Sequence, residues 1–341
     1  MTTIIIKSFN RPHYLDRCLY SIYLNVSGKF EIVVIDDGTP QKYLDKIQNK
    51  YPAIKLRKSK NYDQKVEAIK ENLISGQLIN GFEIPINDWK EVVMESNDYI
   101  LMTEDDVWFT KELNLDEIIK SMKKYKTSLI KLGWISNRPI KSPIIKEVKN
   151  IQFIKPKLIS GNRLLMESIL RNKYRFFSIL YRLGLVDQDT KQEYWILNAL
   201  LMGVFDKEYW LHVWSTLDKK VDETEQIINA STWFHNRKSN HFLYGKLNDL
   251  IMNTTFQSSA TTSYHEHYGI NLDINRFNFL LNEKWFDNEL DVISDLPKDI
   301  NFKKIKDILD DQNIENCTTD LWISWTNKFK EQYIKQGVNV D

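Results

Sequence analysis

Short β-branched runs alternate with segments of helical spacing through residues 3–103, and this alternation limits the fold more than any other feature. "TIIIKSF" and "FEIVVIDDG" are apolar runs ending in polar or glycine-containing segments. Between them lies "PHYLDRCLYSIYLNV", in which Leu15, Cys18, Leu19 and Ile22 recur at helical spacing. A strand, a helix and a strand in that order make a parallel pair joined by a right-handed crossover. "QKYLDKIQNKYP" predicts a second helix, stopped by Pro52, and "AIKLRKS" a third strand. "YDQKVEAIKENLISG" reads as a helix closed by Gly76, and "DYILMT" as a further strand. The expectation is an α/β fold with an open, mostly parallel sheet flanked by helices, whose ligands sit beyond the carboxyl ends of the strands.

Past Asn114 the rhythm changes. "LDEIIKSMKKY" predicts an amphipathic helix, "TSLIKLGWIS" a strand, and residues 159–185 one or two helices. "YWILNALLMGVFDKEYWLHVW" holds a strand or helix that returns to the sheet, and the chain beyond Lys246 reads mainly as helices and loops. At 341 residues the chain exceeds the usual single domain. The expected division is a catalytic domain over 1–245 and a mainly helical C-terminal extension over 246–341.

Two acidic loops, "IDDGTP" and "TEDDVW", and one polar loop, "SFNRP", fall at expected strand ends, so they converge on one cleft. Three adjacent carboxylates, Glu104, Asp105 and Asp106, repel one another unless cations sit among them. Oxygen ligands of this kind suit Mn2+ or Mg2+, which bridge one or two carboxylates to substrate phosphates. The formal net charge of +1 supplies no general field for nucleic acid, so an anionic partner is met locally.

From Thr3 to about Ser231 the chain resembles the GT-A (Rossmann-like) nucleotide-sugar glycosyltransferases, specifically the bacterial family-2-like enzymes. "KSFNRP", "IDDGTP" and "MTEDDVWF" stand in that family's order, the last as an EDD form of its DxD motif. The resemblance implies a donor such as a UDP- or GDP-sugar and a glycan or lipid-linked hydroxyl acceptor of the cell envelope. It implies that Phe9, Asn10 and Arg11 line the nucleobase and ribose pocket, with Asp36 or Asp37 bonded to base or ribose. Asp106 would ligate the metal, and Glu104 and Asp105 would hold ribose or metal-bound water.

Inverting members of the family carry a carboxylate base at the start of a helix, and "DKKVDETEQIINAS" is similar. That assigns the base to Glu223, with Asp222 and Glu225 as alternates; a retaining mechanism would need none of them. Acidic residues also favour a first helical turn through capping and the helix dipole. His235 is placed as the family's histidine metal ligand, with His212 and His241 competing. Arg237 and Lys238 would grip the diphosphate.

The stretch "NRLLMESILRNKYRFFSILYRLG" reads two ways. It is a core-facing helix with a solvated side, or a membrane-surface segment meeting a lipid-linked acceptor. His265 and His267, around Glu266, read as acceptor-side or structural. Two isolated cysteines form no disulfide framework, and no apolar run is long enough for a signal-peptide core or a bilayer span, so the expected location is cytoplasmic. Two other readings compete: a nucleotidyltransferase, which would show glycines and a lysine where "SFNRPHYL" stands, and a degenerate carbohydrate-binding protein, which would not need three intact loops.

Overall fold

A computed structural model describes the chain except residues 78–82, 134–141, 157–159, 188–189, 191–193, 261–267, 313, 336–337, 339 and 341. The N-terminal alternation folds as read. β1 (Thr2–Ser8), α1 (Pro12–Asn25), β2 (Val26–Ser27), β3 (Phe30–Asp36), α2 (Gln41–Lys50), β4 (Lys55–Lys58) and α3 (Tyr62–Ser75) follow in turn. Pro12 stands at the first position of α1, where its missing N–H costs nothing. α4 (Ile86–Glu95), unforeseen in the sequence, precedes β5 (Tyr99–Glu104) and buries Ile86, Trp89, Val92 and Val93.

β6 (Val107–Phe109), β7 (Leu113–Asn114), α5 (Leu115–Tyr125) and β8 (Leu129–Lys131) come next. They are followed by a hairpin of β9 (Ile144–Val148) and β10 (Ile151–Ile154), also unforeseen. The stretch assigned one or two helices forms two, α6 (Arg163–Leu170) and α7 (Phe176–Arg182). Beyond them are β11 (Gly203–Asp206), α8 (Lys207–Trp214), α9 (Glu223–Asn236), β12 (Tyr244–Leu247), β13 (Met252–Thr254), α10 (Ile274–Phe286), α11 (Phe302–Gln312) and α12 (Thr319–Lys335).

Nine strands form one sheet in the order β4-β3-β1-β5-β11-β8-β12-β10-β9. The first four pair in parallel, and β11 and β10 alone run against the rest. Every residue of β1 is buried, so its apolar run is unbroken, as expected of a strand covered on both faces. Ile4, Ile6, Val34 and Leu101 face one core with α1 and α2, whereas Ile5, Val33, Ile35 and Met102 face another with α4 and α8.

The C-terminal helices join the first of these cores through Phe277, Leu281, Ile305, Trp322 and Trp325. The 245/246 division falls within β12, and β13 pairs with β6 directly after the acidic triplet. Trp322 is fully buried, its ring centroid 4.4 Å from that of Phe302 and 6.1 Å from that of Phe277, and its Nε1 donates to the Gln257 carbonyl at 2.8 Å. Trp322→Ala is expected to cost about 3–5 kcal/mol in urea unfolding. A loss below about 1 kcal/mol would mean that α12 is not part of the folding core.

Candidate active site

Parallel register brings the strand ends together. Ser8 lies opposite Asp36, and Lys7 lies opposite Glu104. Asp105 N–H continues the ladder to the Lys7 carbonyl at 2.9 Å before the chain reverses into β6. Met102, Gly203 and Lys131 stand in one row across β5, β11 and β8, so the same edge of the sheet extends to Lys131.

Each carboxylate of the triplet meets a cation. Lys7 Nζ donates to Glu104 at 2.5 Å and to the Leu200 carbonyl at 3.1 Å. Arg11 spans the other two, Nη2 to Asp105 Oδ1 at 2.5 Å and Nη1 to Asp106 Oδ2 at 2.9 Å. Asp105 also accepts Phe9 N–H at 3.0 Å and is 1% exposed. Burial pushes Asp105 up to about 7; Arg11 opposes this, and Asp106 and Glu104 add to it. Burial raises Asp106 too, against Arg11. For Arg11 burial alone would lower the pKa, but Asp105, Asp106 and Glu104 outweigh it, so the guanidinium is held charged. One cation shared by two buried carboxylates is strongly stabilised, while each carboxylate stays under-compensated.

Arg11 is thus drawn into the acidic loop. Asp36 closes its own turn, accepting the N–H groups of Gly38 and Thr39 and the Thr39 hydroxyl. Thr39 Oγ1 in turn accepts Asn10 N–H at 2.9 Å, which holds Asn10 at φ 51°. Asp37 accepts from Ser59 at 2.5 Å and pairs with Lys65. Gly38, at φ 145°, is required: a Cβ there would lie 2.9 Å from Lys65 Cβ and 3.0 Å from the Phe9 ring. Phe9, Asn10, Asp36 and Asp37 therefore form one packed corner, with both aspartates engaged internally.

The three acidic residues proposed around the α9 N-terminus separate by role. Asp222 is the N-cap, accepting Glu225 N–H at 2.9 Å, and it pairs with Arg171 at 2.7 Å. Glu225 is held by Arg163, by Arg171 at 3.2 Å and by the Thr216 hydroxyl at 3.0 Å. Glu223 has no hydrogen-bond partner among the described residues. Burial raises it to about 7, and Lys131 is the main group opposing that rise. Lys131 is itself buried and lowered to about 7, with Glu223 raising it, and its Nζ donates to Asn198 Oδ1 at 2.8 Å.

Neither Lys7 nor Lys131 was identified from the sequence. The signal was present: "IIIK" and "LIK" each end an apolar strand in lysine, and a charge there must be buried or face a ligand.

α9 runs back along β8, from Glu223 beside Lys131 to Trp233, whose Nε1 donates to Ser128 Oγ at 2.9 Å. His235 therefore lies about 18 Å from Glu223 along the helix, exposed at the opposite sheet edge, so the structure does not bring it to Asp106. Arg237 stacks there on Trp233, 3.3 Å from its centroid. His212 is bonded to Asn229 O and Thr232 Oγ1, each at 3.0 Å, and His241 is exposed. His265, Glu266 and His267 lie outside the described residues. α6 packs Met166, Ile169 and Leu170 on Ile227 and Ile228 of α9, while Leu164, Tyr174, Leu183 and Leu185 face outward.

Between the acidic loop and the C-terminal segment lies a cleft of about 210 Å3. Arg11, Glu104 and Asp106 line it together with Leu201, Met202 and the aromatic Phe256, Phe329 and Tyr333. Among the described residues, Asp106 Oδ1 is buried without a partner, and so is Arg11 Nε. An orphaned carboxylate oxygen at a cleft wall fits a divalent ion that keeps waters and takes its remaining ligands from phosphate. Among the described residues no group of three His, Cys, Asp or Glu side chains converges to hold an ion unaided. Among the same residues no helix is long and apolar enough to cross a membrane.

Residues 3–73, β1 through most of α3, match the family model described as glycosyl transferase family 2, which bears out the resemblance over that segment. The matched segment ends before the acidic triplet. No curated protein matches. Among solved structures, TarS 1–349 from S. aureus in complex with UDP-GlcNAc is similar at 13% identity and TM-score 0.43, over 100% of this chain and 93% of that one. Glucosyl-3-phosphoglycerate synthase from Mycobacterium tuberculosis, in complex with Mn2+, UDP and phosphoglyceric acid, is similar at 11% identity and TM-score 0.36, over 84% and 78%. Scores this low say nothing of what any side chain does.

Removing Arg11 tests the electrostatics of the loop. Arg11→Met leaves two buried carboxylates uncompensated, with an expected cost of about 3–5 kcal/mol at pH 7.5. The sign with pH follows from the raised pKa of Asp105 and Asp106. Without Arg11 they rise further, so the folded variant binds more protons than the unfolded chain above about pH 4, and its stability falls as pH rises from there. The deficit against the unsubstituted protein should therefore shrink at pH 5 in chemical denaturation. A deficit that is constant across pH would contradict it.

Proposed function

We propose that the protein is a divalent-metal-dependent glycosyltransferase that moves a sugar from a UDP- or GDP-linked donor to a hydroxyl of a glycan or lipid-linked glycan of the cell envelope, with inversion. The observation that carries this reading is the unpartnered, buried Asp106 Oδ1 on the wall of a cleft at the strand ends, in a chain whose residues 3–73 match the family-2 model. Bound Mn2+ or Mg2+ would neutralise the charge that grows on the leaving diphosphate. Asp106 would hold it, with Glu104 the second carboxylate on that wall. Arg11, whose Nε has no partner, supplies a fixed positive charge beside the same phosphates.

Glu223 is the base. As the acceptor oxygen bonds to the anomeric carbon, the bond from that carbon to phosphate oxygen breaks and its electrons leave with the diphosphate. The hydroxyl proton passes to the Glu223 carboxylate. A carboxylate raised to about 7 is a far better proton acceptor than one at its ordinary value, and Lys131 keeps the rise from going further. Asp222 and Glu225, tied to arginines, set the start of the helix that presents it. The outward Leu164, Tyr174 and Leu183, interspersed with Arg175 and Arg182, support contact with a cytoplasmic membrane surface carrying the acceptor.

Calorimetric titration of UDP and GDP with and without MnCl2 is the direct test. Metal-dependent binding of one nucleotide is expected, and Asp106→Asn should remove the metal-dependent part. Failure of both nucleotides to bind with metal present would refute the reading. Glu223→Gln should leave nucleotide binding intact and lower donor turnover by about 10^2–10^4. Activity should rise as pH increases through about 7, as Glu223 ionises, and Lys131→Met should move that limb to higher pH because the charge that lowers the Glu223 pKa is gone.

A further inference from the structure

α7 reads "FFSILYR", five apolar or aromatic residues of seven, yet none of the seven is buried. Phe176 and Leu180 lean on the small core that α6 shares with α9, while Ile179, Tyr181, Leu183 and Leu185 are exposed. The turn into α7 takes Asn172, Tyr174 and Arg175 through the left-handed region, with φ between 50° and 60°, and Tyr174 is 93% exposed there. An exposed apolar patch of this kind marks a contact surface.

Its charge indicates the partner. Residues 168–186 contain no Asp or Glu, and Arg171, Lys173, Arg175 and Arg182 lie among the apolar side chains. Arg171 is committed to Asp222 and Glu225, and Lys173 to Glu167. Among the described residues Arg175 and Arg182 meet no carboxylate. Ile179 and Arg182 are three apart on α7 and so share a helix face, which puts an apolar and a cationic group side by side. A second copy of this chain is a poor fit, because an isologous contact would set these basic residues against themselves. A phospholipid surface fits both features: the arginines bond to headgroup phosphates while the apolar side chains enter the acyl boundary.

We propose that α6 and α7 dock the protein on an anionic phospholipid surface, with Tyr174, Leu183 and Leu185 inserted and Arg175 and Arg182 at the phosphates. A neutral surface offers the same acyl boundary without the counter-charge, so anionic headgroups are required. The docking surface adjoins the base. α6 packs on Ile227 and Ile228 of α9, and Arg171, at the C-terminal end of α6, grips Asp222 and Glu225 on either side of Glu223. Docking therefore sets the start of α9 near headgroup level, where a hydroxyl acceptor carried on a lipid is presented. That orientation rests on the glycosyltransferase reading; the binding does not.

The test is co-sedimentation with vesicles of phosphatidylcholine alone and of equal parts phosphatidylcholine and phosphatidylglycerol. The protein should bind the mixed vesicles, bind phosphatidylcholine at least about tenfold more weakly, and be released from both by about 0.5 M NaCl. Arg175→Gln with Arg182→Gln should weaken binding to mixed vesicles about tenfold or more, whereas lysine at both positions should retain it. Leu183→Ser with Leu185→Ser should weaken it to a similar degree at unchanged charge. These four side chains are exposed, so thermal unfolding should be the same in every variant.

Equal binding to both vesicles, binding to neither, or full binding by the glutamine pair would overturn the proposal. So would dimerisation without vesicles that Leu183→Ser with Leu185→Ser abolishes, since the patch would then belong to a second copy. If nucleotide binds with MnCl2 and vesicles do not, only the docking surface falls. If vesicles bind as expected and no nucleotide does, the surface stands and the glycosyltransferase reading falls.

Discussion

Arg11 between Asp105 and Asp106 is the interaction on which the site depends. It ties the loop after β1 to the loop after β5, and those two strands are neighbours in the sheet's parallel half. A buried ion pair adds little to stability in itself, because desolvation offsets attraction, but breaking one is costly. The arrangement is therefore self-enforcing. Once the acidic loop is placed at the end of a buried strand, it must have Arg11, and Arg11 must sit where α1 begins. Two basic side chains, Lys7 and Arg11, thus face three carboxyl groups.

The same economy explains why the C-terminal helices cannot be an independent appendage. The loop that carries Asp106 is followed by Trp108, fully buried, which donates to the Pro297 carbonyl at 2.7 Å and lies under the Arg17 guanidinium at 4.4 Å. Thr255 N–H reaches the Asp106 carbonyl, and its hydroxyl bonds to Asp299 at 2.6 Å. Burying the acidic loop thus requires polar partners drawn from residues 255–299, which cover its outer side.

Strand alternation, the convergence of three loops and the packing role of Trp108 and Phe109 were legible in the sequence, because each follows from local periodicity or from strand-end topology. α4 was overlooked although Ile86, Trp89, Val92 and Val93 recur at helical spacing directly after Pro85. β9 escaped for a different reason: four of its five residues are exposed, so no alternating pattern marks it. The pairing of Arg11 with Asp105 and Asp106 was out of reach, since it joins residues 94 and 95 positions apart. His235 illustrates the limit of sequence order as a guide. It follows Glu223 closely in the chain, yet a straight helix carries it to the opposite edge of the sheet.

Lys131 and Glu223 show how a buried pair sets its own charge. Lys131 is buried and Glu223 partly so, and burial drives the two towards neutrality from opposite directions, the acid up and the amine down. Each also favours the charged form of the other. Burial and mutual attraction therefore oppose one another at both groups. Asn198, which accepts from Lys131, lies two residues before Leu200, whose carbonyl accepts from Lys7, so one short segment contacts both buried lysines.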